Sequence, residues 1–409
     1  VNEVRLKNLV THIVEKNDGT LREFVALENL HSGSGSLNSG ELEFKAAEDS
    51  LQHKKGDVLF SKLRPYLAKS HLAKVARTGT SELMVLRAGR DLDSRYLFYT
   101  SLSRPWIDWA VATSYGSKMP RTSWEGMADY RLHVPPLEEQ RRIADFLDAE
   151  TSRIDELVAL TRVQLTVLAE RRIVQVRQMT TRGAARVASP TGVPWMPRMA
   201  SGWTLRKIGR TFKTGSGTTP RLDDERYCGD DVPWINTSDL RDGLVDVVKN
   251  SLSNEALRDH SALRVYEPGV LVVAMYGATV GRVGITGTSC CVNQACCVLY
   301  SPASLTTEYA YFWLLGFRGD ILKMATGGGQ PNISQDTVRS LRIPAPDVST
   351  QREIVRFLER EEGLYRSKTE LLNKRLELLA ERKQALITAA VTGQIDVTSA
   401  GRATADLRA

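Results

Sequence analysis

The sequence predicts an α+β chain: two mixed α/β domains joined by two long helices that form an antiparallel coiled coil, the whole a pseudo-twofold repeat. Three observations predict it. Residues 120–181 align without gaps on residues 331–392. Each copy contains a proline-free stretch of roughly 40 residues with apolar side chains at 3–4 spacing. The stretches ahead of these helices hold short apolar runs broken by Gly-rich turns, the mark of strands.

In chain order, residues 1–136 read as the first α/β domain, with strand-like runs such as 57–61 (DVLFS). The helix expected over 137–182 follows Pro135 and Pro136, which are tolerated ahead of a helix start. Its apolar stripe includes Ile143, Phe146, Leu147, Ile154, Leu157 and Leu168. A turn-rich linker is expected over 183–202, and a second α/β domain over 203–345 with the run 270–275 (VLVVAM). The distal helix, expected over 346–393, carries Ile354, Phe357, Leu358, Leu372, Leu376 and Leu379, with Gly363 inside it. Residues 394–409 lack periodicity and read as a frayed tail. A helix of about 40 residues spans about 60 Å, twice a small domain, so each stripe needs a partner beyond its own domain. The other copy is the obvious one.

The repeat is more than shared helix composition. Pro120/Pro331, Ser123/Ser334, Arg131/Arg342, Pro135/Pro346, Gln140/Gln351 and Phe146/Phe357 all stay in register. Two copies of this length make a duplicated pair rather than a solenoid.

Composition narrows the function classes. Lys plus Arg is 55 against 48 Asp plus Glu, a net charge of +7 that suits a polyanionic partner. No uncharged apolar stretch approaches the ~18 residues of a membrane span, and no basic-then-apolar pattern opens the chain, so a cytoplasmic protein without membrane contact is expected. Five cysteines argue against a disulfide scaffold. Four cluster as Cys290, Cys291, Cys296 and Cys297, and adjacent strand residues point to opposite faces, which favours buried thiols over a metal site.

Catalytic signatures are missing. No phosphate-binding GxxxxGK[ST] loop or GxGxxG motif occurs, and no Asn/Asp-Pro-Pro-aromatic methyltransferase motif. A nuclease-like pair, Asp347 and Glu381–Lys383, would lie about 50 Å apart along one helix, too far to share metal ions.

Several loops mix basic, aromatic and amide side chains. Residues 61–69 offer Lys62, Arg64, Tyr66 and Lys69; 116–121 add Lys118 and Arg121. In the second domain, 213–221 carry Lys213, Thr218, Thr219 and Arg221, with Tyr276 and Arg282 nearby in sequence and Gln330 and Asn332 in 327–332. Cations can neutralise phosphates, Arg can pair with guanine, and Gln or Asn with adenine. For one residue taken alone a solvated turn is the simpler reading; the recurrence of such loops in both halves favours binding.

Taken together these residues resemble the specificity subunit of type I restriction–modification systems. The matching segments are GDVLFSKLRPYLAK (56–69), RLHVPPLEEQRRIADFLD (131–148), SPTGVPWMPRMASGW (189–203), KTGSGTTPR (213–221), MYGATVGRVGI (275–285), GGGQPNIS (327–334), IPAPDVSTQREIVRFL (343–358) and ITAAVTGQIDV (387–397). The first domain departs from the pattern in lacking a counterpart of 215–220. The resemblance implies two target recognition domains that each read half of an asymmetric bipartite site in double-stranded DNA. It implies a helix pair that spaces them and docks two methyltransferase subunits, with two restriction/translocase subunits in the full complex. By the same resemblance the chain is non-catalytic and binds no cofactor; S-adenosylmethionine, ATP and Mg serve adenine-N6 methylation and cleavage in the partners. The alternative is a coiled-coil scaffold without direct DNA readout.

Overall fold

The computed structural model describes residues 3–17, 23–38, 43–44, 50–221, 223–324 and 332–397. The chain divides into two compact units, Val1–Val163 with Leu372–Ala409, and Gln164–Leu371. The long helices therefore contribute one half each to both units. The described helices are α1 (Ser94–Leu102), α2 (Arg104–Ala112), α3 (Trp124–Met127), α4 (Leu137–Arg182), α5 (Ile208–Thr211), α6 (Asn254–Asp259), α7 (Thr307–Leu322), α8 (Gln335–Ser340) and α9 (Val348–Val391).

In the first unit the central sheet orders Val10–Ile13, Leu83–Ala88, Val58–Ser61 and Ser70–Leu72, antiparallel throughout. Both faces are covered, which is why Val58, Leu59 and Phe60 are consecutive apolar residues. Val58, Phe60, Met84 and Leu86 face a core with Tyr96 and Leu97 of α1 and Trp106 and Ile107 of α2. Leu59, Leu83 and Val85 point the other way, onto Ile13, Val25, Leu30 and Leu51. Part of that second cover is a small sheet ordered Glu43–Phe44, Glu23–Val25, Arg77–Gly79 and Leu51–His53.

The second unit repeats the plan. Its five-stranded sheet runs Lys213–Gly215, Cys296–Tyr300, Leu271–Ala274, Val283–Thr286 and Gly243–Val245, with the last pairing parallel. Leu271, Val273, Cys297 and Leu299 face Tyr309, Trp313 and Phe317 of α7. Val272, Ala274, Cys296 and Val298 face Ile235, Val245 and Tyr266. The four clustered cysteines are thus fully buried and split by strand alternation: Cys290 and Cys296 in one cluster, Cys297 in another, Cys291 beside Trp234 and Leu252 in a third. Burial pushes the thiols of Cys290 and Cys297 up to about 12 and that of Cys291 to about 11.

Residues 183–202, expected as a linker, instead fold into a hairpin of Ala188–Val193 with Met196–Ala200. The reason is apolar content: Val193 and Met196 enter the second unit's core, and Trp195 packs on Trp313 and Phe317 at centroid distances of 5.8 and 5.4 Å. Of the expected frayed tail, 394–397 are ordered. Gln394 N–H donates to Ala389 O at 2.9 Å, and Ile395 and Val397 pack on the first unit's core. Residues 398–409 lie outside the described residues.

Two glutamines lock the helix starts. Gln140 is fully buried; its Nε2 donates to Asp91 O (2.9 Å) and Pro135 O (2.8 Å), and its Oε1 accepts from Asp93 N–H (2.8 Å). Gln351 makes the same three bonds at the same three lengths, to Ser304 O, Pro346 O and Thr306 N–H. Asp93 and Thr306 are themselves the N-caps of α1 and α7. One buried amide thereby joins the start of a domain helix to the proline turn that launches a long helix.

Two tyrosines lock the helix ends. Tyr96 Oη donates to His133 O and Val391 O, both at 2.9 Å; Tyr309 Oη donates to Thr180 O at 2.7 Å. Each domain thus grips the end of the long helix that follows the other domain. Within each unit the two helices run antiparallel. In the first, Lys383 Nζ donates to both carboxylate oxygens of Asp155 at 2.8 Å, and Ile143 and Leu147 share a core with Ile387 and Val391. In the second, Arg172 is bidentate to Glu362 (2.7 and 3.0 Å) and stacks on Tyr365, while Ile354 and Leu358 share a core with Val176.

The stripe assigned to helix pairing therefore serves two purposes. Ile143, Leu147, Ile354 and Leu358 belong to domain cores, where Phe146 and Phe357 also pack; Ile154 and Leu379 are buried as well. Leu157, Leu168, Leu372 and Leu376 are half-buried.

Gln140→Ala and Gln351→Ala should each lower unfolding stability by about 3 kcal/mol, since each removes three hydrogen bonds and strands buried backbone groups; denaturant titration measures this. A thiol reagent at pH 8 should label the exposed Cys228 alone in the native protein and all five cysteines in denaturant.

Candidate nucleic-acid interface

In the first unit the strand Val58–Ser61 runs into a tight loop that closes on itself. Ser61 N–H donates to Lys69 O (2.9 Å), Leu67 N–H to Arg64 O (2.9 Å) and Ala68 N–H to Pro65 O (2.9 Å). Pro65 opens a single 3-10 turn, Pro65–Leu67, between two residues with left-handed backbones, Arg64 (φ 50°) and Ala68 (φ 49°). A non-glycine residue there costs on the order of 1–2 kcal/mol. For Ala68 the methyl is buried in the core. The Arg64 side chain is exposed and has no partner among the described residues, so packing does not repay its backbone.

A second loop lies against the first. Tyr115 and Arg121 exchange both backbone hydrogen bonds (3.0 and 2.9 Å), Arg64 N–H donates to Pro120 O (2.8 Å) and Thr122 N–H to Lys62 O (2.9 Å). Residues 61–69 and 113–122 thus form one surface, on which Arg64, Tyr66, Tyr115, Lys118 and Met119 are exposed. Tyr115 and Met119 were not singled out from sequence; their place within the SYGSKMPR turn is the signal that was there to read.

Of the remaining expected contacts in this unit, two are already engaged and the third is half-buried. Lys69 Nζ donates to Leu27 O at 2.6 Å, and Arg121 pairs with Glu82 at 2.5 Å. Lys62 is half-buried, and burial lowers its ammonium below the usual lysine range while Glu82 pulls it back up. Burial, then Lys62, also lowers the His12 imidazole, which stacks on Trp124 at 5.0 Å. The sequence that could supply a counterpart of 215–220 falls after Ile13, and residues 18–22 of it lie outside the described residues.

The second unit builds the same loop pair from different residues. Ala274 N–H donates to Arg282 O (2.9 Å), Tyr276 bridges Asn332, and Ile333 N–H donates to Met275 O (3.0 Å). These are the bonds of Ser61 to Lys69, of Leu63 with Arg121, and of Thr122 to Lys62, displaced along the sequence by one domain. The left-handed positions are now Gly277 (φ 75°) and Gly281 (φ 76°). Tyr276, Arg282 and Asn332 are exposed; Gln330 lies outside the described residues.

Beside this pair runs the 213–221 loop, braced by a residue not expected from sequence. Gln294 Oε1 accepts from Thr219 Oγ1, and Gln294 O from Ser216 Oγ at 3.3 Å. Gln335 Nε2 donates to Thr214 Oγ1 at 2.8 Å. Lys213, Thr219 and Arg221 are exposed and Thr218 half-buried. Trp234 is core, 2 % exposed; Asn236 is held by Asp239 and Asn293. Asp347, of the nuclease-like pattern, caps α9: its carboxylate accepts from Ser349 and Thr350, which hold it down at about 2. Among the described residues no group of three or more His, Cys, Asp or Glu side chains is arranged to hold a metal ion, and no helix is long and apolar enough to cross a membrane.

The arrangement is two loop pairs on matching backbones with unlike exposed side chains. The type I restriction modification DNA specificity domain matches residues 15–165 and 200–381. The specificity subunit of the Escherichia coli type I restriction enzyme EcoR124I/EcoR124II is 28 % identical over 181 residues, 43 % of this chain and 44 % of that one. That of MjaIX from Methanocaldococcus jannaschii is 25 % identical over 180 residues, so the chain spans less than half the length of these two curated relatives. The putative MjaX specificity subunit of the same archaeon is 23 % identical over 84 % of this chain and 79 % of its own. Among solved structures, a chain studied for complex assembly and conformational transition of the type I R-M system superposes with TM-score 0.76 at 21 % identity, covering 95 % of this chain and 97 % of that one. The HsdS subunit of Thermoanaerobacter tengcongensis superposes at 0.54 with 20 % identity, over 96 % and 97 % of the two chains. With both of its halves matched by one domain description and its architecture shared end to end, this chain belongs to the type I restriction–modification DNA specificity family.

Proposed function

We propose that this chain is the DNA-reading subunit of a type I restriction–modification complex and performs no chemistry itself. One observation carries the reading: the same loop frame is built twice and dressed with different exposed side chains. A shared frame with unlike contacts is what an asymmetric bipartite target in double-stranded DNA requires, since both halves share a backbone and differ in base edges. Family membership and the named relatives support it. In this reading two methyltransferase subunits dock on the protein, restriction/translocase subunits complete the complex, and the complex works in the cytoplasm. The partners bring S-adenosylmethionine, ATP and Mg and methylate adenine N6.

Co-expression with the cognate methyltransferase in a methylation-free host, followed by mapping of modified adenines, tests the reading. Two unlike short sequences separated by unread base pairs are expected; one continuous motif would refute the two-reader arrangement. The scaffold alternative predicts that the chain assembles its partners without selecting any sequence.

Free and engaged side chains should separate cleanly. Tyr66→Ala and Lys118→Ala should weaken duplex binding while moving stability by less than about 0.5 kcal/mol, as exposed sites do. Arg121→Ala should lower stability by about 1–2 kcal/mol, because it removes the ion pair of the partly buried Glu82 carboxylate. Thermal unfolding beside a binding titration resolves the two classes.

A further inference from the structure

Each nine-residue loop presents one exposed, unpartnered cation, yet at different positions of the frame. In the first domain the cation is Arg64, while Lys69 at the far end is tied to Leu27 O. In the second, the position matching Arg64 is Gly277, and the position matching Lys69 is Arg282, exposed and without a partner among the described residues. The Ser61 to Lys69 and Ala274 to Arg282 hydrogen bonds fix this correspondence. The swap matters because the first domain accepts a left-handed arginine where the second uses glycine. A side chain kept at a backbone position that disfavours it, with no packing or ion pair to hold it, is kept for something outside the chain.

We propose that Arg64 and Arg282 are equivalent phosphate anchors, each clamping the sugar–phosphate backbone of one half-site, and that base identity is read by other residues of each domain. This rests on the DNA-reading function proposed above. Its argument is one of shared chemistry. A feature that both domains keep, by different residues on one frame, serves what the two unlike half-sites have in common. That is the phosphodiester backbone; bases differ between the halves. An exposed guanidinium suits it, offering charge and a planar fork to a phosphate.

The test uses the full chain with its methyltransferase partner. Variants are Arg64→Gly, Arg64→Lys and Arg282→Ala, measured by duplex affinity across a salt series and by methylation mapping. Arg64→Gly should unfold no earlier than the parent, because glycine suits the left-handed backbone. It should bind target and non-target duplexes about 5- to 10-fold more weakly at low salt, by the same factor. The slope of log affinity against log salt should become shallower by about 1, with the methylated motif unchanged. Arg282→Ala should do the same, and Arg64→Lys should keep the parental slope. Degeneracy at one motif position after Arg64→Gly would make Arg64 a base reader and overturn the proposal, as would unchanged affinity and slope. Failure of the underlying function looks different: the unsubstituted complex would then show no motif and no salt-dependent binding.

Discussion

The structure depends on two buried side-chain amides. Gln140 and Gln351 each satisfy three backbone groups at the junction where an α/β domain becomes a long helix. Proline in the turn ahead of each helix supplies no N–H, and the amide donates to that proline's carbonyl. The amide carries both a donor and an acceptor, so it can bind two carbonyls and an N–H at once, which a carboxylate cannot. With the helix start fixed to the cap of α1 or α7, the apolar turns that follow are aimed into the domain core. The remainder of each helix then inherits its direction.

The two tyrosines complete the arrangement from the opposite side. Tyr96 and Tyr309 hold the ends of helices that began beyond their own domain. A phenol suits such a position, because its ring adds to the core while its hydroxyl satisfies a carbonyl left open by the last helical turn. The ion pairs between the helices differ between the units, Asp155 with Lys383 in one and Arg172 with Glu362 in the other. The second is largely withdrawn from solvent, and such pairs fix register more than they add stability.

The helical framework was legible from the sequence because its constraints fall on side chains. Gln140/Gln351, Ser123/Ser334 and the apolar stripe appear in the alignment since burial and capping demand those residue types. The loop frame left no comparable trace. Its constraints are backbone hydrogen bonds, which any residue supplies, so SKLRPYLAK and the stretch 274–282 share a shape with little sequence in common. The hairpin over 188–200 was missed for another reason. Its Pro and Gly residues signal turns, and the burial of Val193, Trp195 and Met196 depends on an apolar surface of α7 that lies more than a hundred residues away. At the surface, sequence named the loops but could not separate cations that face solvent from those spent on structure: Arg64 and Lys69 differ in their partners and not in their kind.

The first unit is built from two stretches of chain that lie on either side of the second, and this has a consequence for biosynthesis. Its α/β portion is made before the second unit, and the stretch of α9 that packs on its core is made after it. About 200 residues separate the two, a delay on the order of 10–40 s at typical elongation rates. Throughout that interval the core around Leu147 lacks Ile387, Ala390 and Val391. The second unit suffers no such wait, because everything it requires is made in one uninterrupted run. The nascent half that begins first is therefore the half that finishes last, and it is there that chaperones would find their footing.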